Sequence, residues 1–286
     1  MKYCVSNIAW SAEHDEQMYG FLRDNNFDGI EIAPTRIFAD TPYDKLDEAR
    51  DFARRLKQEY GLEIASMQSI WYGISESIFG SEADRSKLVD YTKKAIDFAC
   101  VIDCGNLVFG CPKNRAIPEG ADIDNCLEIA HDFFNKIGDY AAACGACVAI
   151  EPNPPIYNTN FINTFEQAFK ICRDLDNSGI KVNADIGTFI YYNADINILK
   201  DNIDLINHVH ISEPYLAPIE TRELHGELKK LLTQASSHSA LDAESHEIAG
   251  QARNDWLINY DKYISLEMAN INDIEKVKEI ICYIKI

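Results

Sequence analysis

Short apolar runs alternate along the chain with longer segments in which apolar residues recur at helical spacing. Several runs are nearly continuous in aliphatic and β-branched residues, which is typical of parallel strands buried on both faces. Eight such runs predict strands, at residues 4–10, 29–34, 63–71, 106–112, 147–152, 180–187, 208–213 and 263–269.

The segments between the runs have the period of amphipathic helices. Residues 46–60 place Leu46, Phe52 and Leu56 on one face. Residues 81–102 begin with Ser-Glu-Ala-Asp, the pattern of a capping box. Glycine, which suits the left-handed end of a helix, stands just before five of the runs, as Gly29, Gly61, Gly105, Gly145 and Gly179.

Eight strands alternating with helices predict an α/β protein, a single-domain (β/α)₈ TIM barrel over residues 1–286. A doubly wound open sheet is the alternative, but it often has a glycine-rich turn after its first strand, and residues 7–11 contain no glycine. Between predicted strands seven and eight, residues 235–255 are polar and rich in Ala and Ser. They predict a surface insertion, with a lid over the site as the functional alternative.

Composition and charge restrict the partners. With 47% hydrophobic and 26% charged residues, the chain is ordinary for a globular protein. Its net charge of −19 disfavours nucleic acid, because an acidic surface repels phosphates. Neither a signal peptide nor a membrane span is visible, so we expect a cytoplasmic protein with no membrane partner. Homo-oligomerisation stays open.

The cysteines point to free thiols in a reducing compartment. There are nine, an odd number, and most lie in apolar runs. Cys144 and Cys147 form a C-x-x-C, but no second ligand pair accompanies them, so we do not expect a zinc site there.

Polar residues end four consecutive predicted strands, at the face where TIM barrels carry their active sites. They are Glu151, Asp185, His210 and Glu267, each embedded in apolar sequence. A carboxylate beside a barrel core is costly unless it is paired or bound to a metal. Three carboxylates and one imidazole suit Mn²⁺, Mg²⁺, Co²⁺ or Zn²⁺, so we expect one divalent cation at this position.

Other residues near the predicted strand ends are candidate substrate ligands. Lys113 and Arg115 could meet a phosphate or carboxylate, with a solvated loop as the alternative. Trp10 and Trp71 could pack on the C–H faces of a sugar, although core packing explains them nearly as well. The remaining candidates are Gln68, Asn153, Glu31, Glu213 and, near the loop after strand seven, His225.

The runs VAIEPNP, NADIGT, HVHISEP and ISLEMA make the chain resemble the xylose isomerase-like TIM barrel superfamily, in particular its sugar phosphate isomerase/epimerase branch. The branch is related to ketose 3-epimerases, inosose isomerases and dehydratases, and endonuclease IV. The resemblance covers the chain except residues 235–255. It implies that Glu151, Asp185, His210 and Glu267 bind one metal ion, with manganese first among the candidates.

The resemblance also implies an activity on a sugar, a sugar phosphate or a related polyol. Glu151 and Glu267 would pass a proton to and from carbon through a metal-stabilised enediolate, giving an isomer or an epimer. Two positions depart from ketose 3-epimerases. Thr188 stands where those enzymes have a histidine, and the loop Ile211–Leu216 lacks their arginine, so the reaction and the sugar stay open.

Three alternatives follow from the same residues. An inosose dehydratase-type lyase would use the same ligands. An endonuclease IV-like repair enzyme needs three zinc ions and additional histidine ligands. The corresponding strand ends carry Gln68, Cys111 and Thr188 instead. A non-catalytic sugar-binding barrel would carry the acids without requiring a metal, and metal-dependent stabilisation distinguishes it.

Overall fold

The protein is a closed barrel of eight parallel strands that follow one another in chain order. A computed structural model describes residues 1–242 and 262–284. The last strand pairs with the first, so the sheet has no free edge within this part of the chain. The predicted TIM barrel is therefore confirmed. Its strands are β1 Lys2–Ser6, β2 Gly29–Ile32, β3 Glu63–Met67, β4 Asn106–Phe109, β5 Cys147–Ile150, β6 Ile180–Asp185, β7 Ile206–Ile211 and β8 Tyr263–Leu266.

Helices cover the outside of the barrel. They are α1 Asp15–Asp24, α2 Pro34–Ile37, α3 Leu46–Arg55, α4 Glu82–Val101, α5 Ile123–Ala143, α6 Phe165–Leu175, α7 Ile186–Tyr192, α8 Glu223–Asp242 and α9 Ile274–Ile284. A π-helical turn, Leu56–Tyr60, extends α3, and a 3₁₀ segment, Ile196–Leu205, precedes β7. Shorter 3₁₀ turns follow several strands, among them Pro112–Arg115, Pro155–Tyr157 and Pro214–Leu216.

Local sequence signals explain where several elements begin and end. Ser81 and Asp84 form the predicted capping box of α4, each side chain bonding the other's backbone N–H. Gly61 ends the π-helical turn with a φ of +69° and Gly145 follows α5 with a φ of +71°. Residues other than glycine rarely adopt this backbone conformation, so these two glycines allow the chain to turn directly into β3 and β5.

Several predicted strands extend too far at their carboxyl ends. The run 63–71 leaves the sheet after Met67, and Ser69 has a φ of +53°. The run 147–152 ends as a strand at Ile150, and Pro152 has no N–H to donate to a ladder. These early ends release the next residues from the sheet, and two of them are Glu151 and Glu267.

The predicted insertion at residues 235–255 is described only in part. Its first residues, up to Asp242, continue α8 as helix. Residues 243–255 lie outside the described residues.

The barrel wall is apolar on its outer side. Trp71 packs edge-on against Phe109 and Phe133, with ring centroids 4.9 and 5.7 Å away, and donates its indole N–H to Thr92 Oγ1 at 2.9 Å.

The nine cysteines are free thiols, although Cys100 and Cys282 are exposed. Among the described residues, none of the helices has both the length and the apolar character needed to cross a membrane.

The close approach of α5 to the start of β6 gives a testable prediction. A Cβ built on Gly179 would lie 1.9 Å from the carbonyl oxygen of Gly138, a backbone atom that cannot move aside. Gly179→Ala should lower the free energy of unfolding by about 1–3 kcal/mol, the usual cost of overpacking. Denaturant unfolding measures this. Gly105→Ala is the matched control, since a Cβ added there would have nothing within 4 Å, and it should stay within about 0.5 kcal/mol of wild type. Equal stabilities for the two variants would contradict the account.

Candidate metal centre

Four potential ligands meet at the carboxyl ends of adjacent strands. Glu151 follows β5, Asp185 ends β6, His210 lies in β7 and Glu267 follows β8. One ligand atom from each lies within 4.8 Å of the others. The structure therefore brings together, at the mouth of the barrel, all four residues that the sequence proposed as metal ligands; Asp185, His210 and Glu267 are buried, and Glu151 is partly exposed.

The imidazole of His210 is the centre of this group. Its Nδ1 lies 3.1 Å from Glu151 Oε1 and 3.1 Å from Glu267 Oε2. Although Nδ1 is fully buried, it makes no hydrogen bond, so neither contact has hydrogen-bond geometry. On the other side of the ring, Nε2 lies 2.8 Å from Glu31 Oε2. A buried imidazole nitrogen that faces two carboxylates without a hydrogen bond fits a metal ligand.

Hydrogen bonds fix the carboxylate of Glu151. Asn183 Nδ2 donates to its Oε1 at 2.7 Å, and Asn153 Nδ2 donates to its Oε2 at 2.9 Å. Asn153 is itself held by Arg115, whose Nη2 donates to the amide oxygen of Asn153 and to the carbonyl oxygen of Glu151, both at 2.8 Å. Arg115 thus supports Glu151 from behind, through its backbone and through its amide partner.

Asp185 is both a candidate ligand and the N-cap of α7. Its Oδ2 accepts hydrogen bonds from the backbone N–H and the hydroxyl of Thr188, each at 3.0 Å. Its Oδ1 accepts a hydrogen bond from Ser212. The helix cap and the neighbouring strand therefore orient this carboxylate before any ligand binds.

The electrostatics of the group favour a cation. Burial raises the pKa of Glu267 to about 7. Burial, together with the charge of Glu151, raises the pKa of Asp185 to about 6. Burial lowers the pKa of His210, but the negative charges of Glu31 and Glu267 outweigh it, and the pKa lies well above its ordinary value. A divalent ion among these groups would favour the charged carboxylates, and three oxygens with one nitrogen suit Mn²⁺, Mg²⁺, Co²⁺ or Zn²⁺.

A cavity of about 190 Å³ opens above the four residues. Of the predicted substrate ligands, Gln68 and Asn153 line it. Tyr157, Ser212 and Leu216, which the sequence did not single out, also line it. The cavity therefore combines hydroxyl and amide groups with carboxylates and apolar surface.

The two predicted cations lie elsewhere. Arg115 is fully buried behind Glu151, where burial lowers its pKa to about 10. Lys113 is exposed and does not contribute to the cavity wall. No lysine or arginine of the described residues is part of that wall.

The remaining candidates are also placed away from the cavity. Trp10 donates its indole N–H to Asp15, and Trp71 belongs to the core. Glu213 is held by Arg222, whose Nε and Nη2 each lie 2.6 Å from one of its oxygens. His225 lines a separate apolar cavity between the barrel and α8. Glu31 lies inside the barrel, fully buried beneath His210.

Some residues missed in the sequence carried a usable signal. Asn183 and His208 each stand two positions before a predicted ligand on the same strand, so they share its inward face. His208 lies buried inside the barrel, with its Nε2 2.8 Å from Ser265 Oγ. Tyr157 had no such signal, because its loop position depends on the fold. Its hydroxyl accepts a hydrogen bond from the backbone N–H of Tyr215 at 2.8 Å.

Fold and site together define a TIM barrel with a buried acidic and histidine cluster at its carboxyl-terminal face. The family model described as xylose isomerase-like TIM barrel matches residues 20–283. The chain belongs to this family.

Solved structures of similar fold share little sequence with the chain. The apo form of 3-keto-D-glucoside 4-epimerase from E. coli is 17% identical, with a TM-score of 0.73 over 100% of this chain and 99% of the other. D-Psicose 3-epimerase from Clostridium cellulolyticum H10, solved with D-tagatose, is 14% identical, with a TM-score of 0.73 over 100% and 97%. AP endonuclease, family 2, from Brucella melitensis is 17% identical, with a TM-score of 0.64 over 95% and 94%. No curated protein sequence matches the chain.

The cluster predicts metal-dependent stabilisation. At a free Mn²⁺ concentration one hundred times the Kd, binding should raise the free energy of unfolding by about 2.7 kcal/mol. Thermal unfolding with and without Mn²⁺ measures this effect. Glu267→Gln should lose most of the shift because it removes a charged ligand, while Glu128→Gln, an exposed acid on α5, should keep it. A shift of equal size in both variants would place the bound ion elsewhere.

Proposed function

We propose that the protein is a metal-dependent isomerase or epimerase of a sugar, a sugar phosphate or a related polyol. The observation that carries the proposal is the convergence of Glu151, Asp185, His210 and Glu267 within 4.8 Å of one another, beside a cavity that the three carboxylates line. This face of a TIM barrel is where the fold carries catalysis.

The four residues would hold one divalent cation, with Mn²⁺ as the first candidate and Mg²⁺, Co²⁺ and Zn²⁺ as alternatives. When bound, the cation supplies Lewis acidity, which makes the C–H beside a substrate carbonyl more acidic. The chain's own residues then account for the proton transfer and for the orientation of the substrate.

Glu151 and Glu267 are the proposed acid and base. Each has one carboxylate oxygen 3.1 Å from His210 Nδ1, and both residues line the cavity. A carboxylate on one side would take the proton from carbon, and the carboxyl group on the other side would return it. Asn153 and Asn183 hold Glu151 in one orientation, which favours transfer at a defined carbon.

The cavity wall suits a polyhydroxylated substrate. Gln68 and Ser212 offer hydrogen bonds to hydroxyl groups, and Tyr157 and Leu216 offer surface to C–H faces. Two structures of similar fold are named as epimerases of sugar derivatives or sugars, which supports the same class of chemistry here.

The alternatives differ in ways that can be measured. A dehydratase-type lyase would release water from an inosose and form no epimer. An endonuclease IV-like activity is disfavoured by the net charge of −19, because the acidic surface repels a phosphate backbone. A non-catalytic sugar-binding barrel would bind the substrate without exchanging its protons.

Deuterium exchange from D₂O tests the proposal. The metal-loaded protein is incubated with a panel of ketoses, ketose phosphates and inososes, and carbon-bound deuterium is measured by NMR. At least one substrate should exchange, and Glu151→Gln should reduce the exchange by at least about 100-fold, as loss of an acid–base group does. Glu128→Gln should exchange like wild type. Absence of exchange in every substrate by a metal-binding wild type would reject the function.

A further inference from the structure

Glu31 is an acidic residue buried inside the barrel and outside the cavity. It lies on β2 and is 0% exposed, yet no described lysine or arginine pairs with it. Its Oε2 lies 2.8 Å from His210 Nε2 and 3.4 Å from His208 Nε2, so it reaches across the barrel to β7. A buried carboxylate is costly unless it is paired, and the hydrogen bond with His210 Nε2 gives Glu31 a partner.

We propose that Glu31 is a positioning residue for the metal centre. By accepting a hydrogen bond from His210 Nε2, it keeps the imidazole proton on that nitrogen and leaves Nδ1 free to bind the cation. This role rests on the proposed metal-dependent function, and it differs from the substrate contact that the sequence suggested for Glu31.

The chemistry of the two side chains supports this assignment. An ionised carboxylate can only accept hydrogen bonds, so the nitrogen that faces it must be the donor. An imidazole that binds a metal through Nδ1 is neutral whatever its pKa in the absence of the metal, so it carries one proton, on Nε2, and its lone pair is on Nδ1. Nδ1 of His210 is the nitrogen that makes no hydrogen bond and faces Glu151 and Glu267. Carboxylate partners of this kind orient metal-binding histidines in proteins.

Glu31 is itself fixed by the layer of side chains beneath the centre. His208 Nε2 lies 2.8 Å from Ser265 Oγ, which in turn lies 2.9 Å from Cys4 Sγ. Gln68 Nε2 lies 3.5 Å from Glu31 Oε1 and donates to Ser6 Oγ at 2.6 Å. Side chains on β1, β7 and β8 and just after β3 therefore limit where the Glu31 carboxylate can be.

A second cation bound by Glu31, His208 and His210 is the rival explanation, because their ligand atoms also lie within 4.8 Å of one another. The 2.8 Å separation of Glu31 Oε2 and His210 Nε2 is an ordinary hydrogen-bond distance. Both atoms are then already satisfied, so the geometry favours the hydrogen bond.

Calorimetric titration with Mn²⁺ at neutral pH tests the proposal. Glu31→Gln keeps the shape of the side chain but replaces the carboxylate, and its affinity for Mn²⁺ should fall about 10–100-fold. Ser66→Ala is the matched control. It removes the interior acceptor of an Asn106 Nδ2 hydrogen bond of 2.9 Å without touching His210, and it should bind Mn²⁺ like wild type.

The possible results distinguish failure of the proposed function from failure of the proposed role of Glu31. If wild type binds none of the four cations, the proposed function fails. If wild type binds Mn²⁺ and folded Glu31→Gln binds it equally well, only the role of Glu31 is rejected. A stoichiometry of two ions in wild type that falls to one in Glu31→Gln would favour the second-cation explanation and overturn the positioning role.

A measurement on wild type keeps the proposal testable if Glu31→Gln does not fold. In protein loaded with diamagnetic Zn²⁺, ¹⁵N NMR of the histidine side chains reports which nitrogen carries the proton, and comparison with His208→Gln assigns the His210 signals. The proton should be on Nε2 of His210. A proton on Nδ1 would overturn the proposal.

Discussion

The contact between His210 and the carboxylates around it is the constraint on which the rest of the site depends. Burying this many ionisable groups at the end of a barrel is costly, and the structure offsets the cost only partly through hydrogen bonds. The part of the cost that is not offset raises the pKa of Asp185 to about 6 and the pKa of Glu267 to about 7. A bound cation would compensate it, so the proposed metal binding would also stabilise this face of the barrel.

The barrel orients the ligands with hydrogen bonds from elements that the fold places next to one another. Asp185 uses the N-terminus of α7, and Ser212 reaches it from the end of β7. Glu151 is held by an amide of β6 and by Asn153, which Arg115 supports from behind. Asp185 and Glu151 thus each have a hydrogen-bond partner outside their own strand, and this limits the motion of their oxygen atoms.

Most of the fold and the meeting of the four candidate ligands could be predicted from the sequence, because both depend on the order of short segments along the chain. Strands end within a few residues of the ends of the apolar runs, and parallel strands bring their carboxyl ends to one face, so Glu151 and Glu267 could be placed without coordinates. The partners of long side chains could not be predicted. Arg115 follows β4 as a cation expected near substrate, yet it lies buried behind Glu151. Glu31 is separated from His210 by 179 positions, and only barrel closure brings them together.

The placement of the arginine side chains explains how the cavity keeps its negative charge. A cation facing the carboxylates would compete with a metal ion for them. Arg115 instead directs its Nη2 to carbonyl and amide oxygens, and Arg222 is occupied by Glu213. The Nε and Nη1 of Arg115 make no hydrogen bonds although they are buried, so the guanidinium is held for its position and charge at some cost in hydrogen bonding. Its positive charge lies behind the backbone of Glu151, where it supports that ligand without taking the place of the cation.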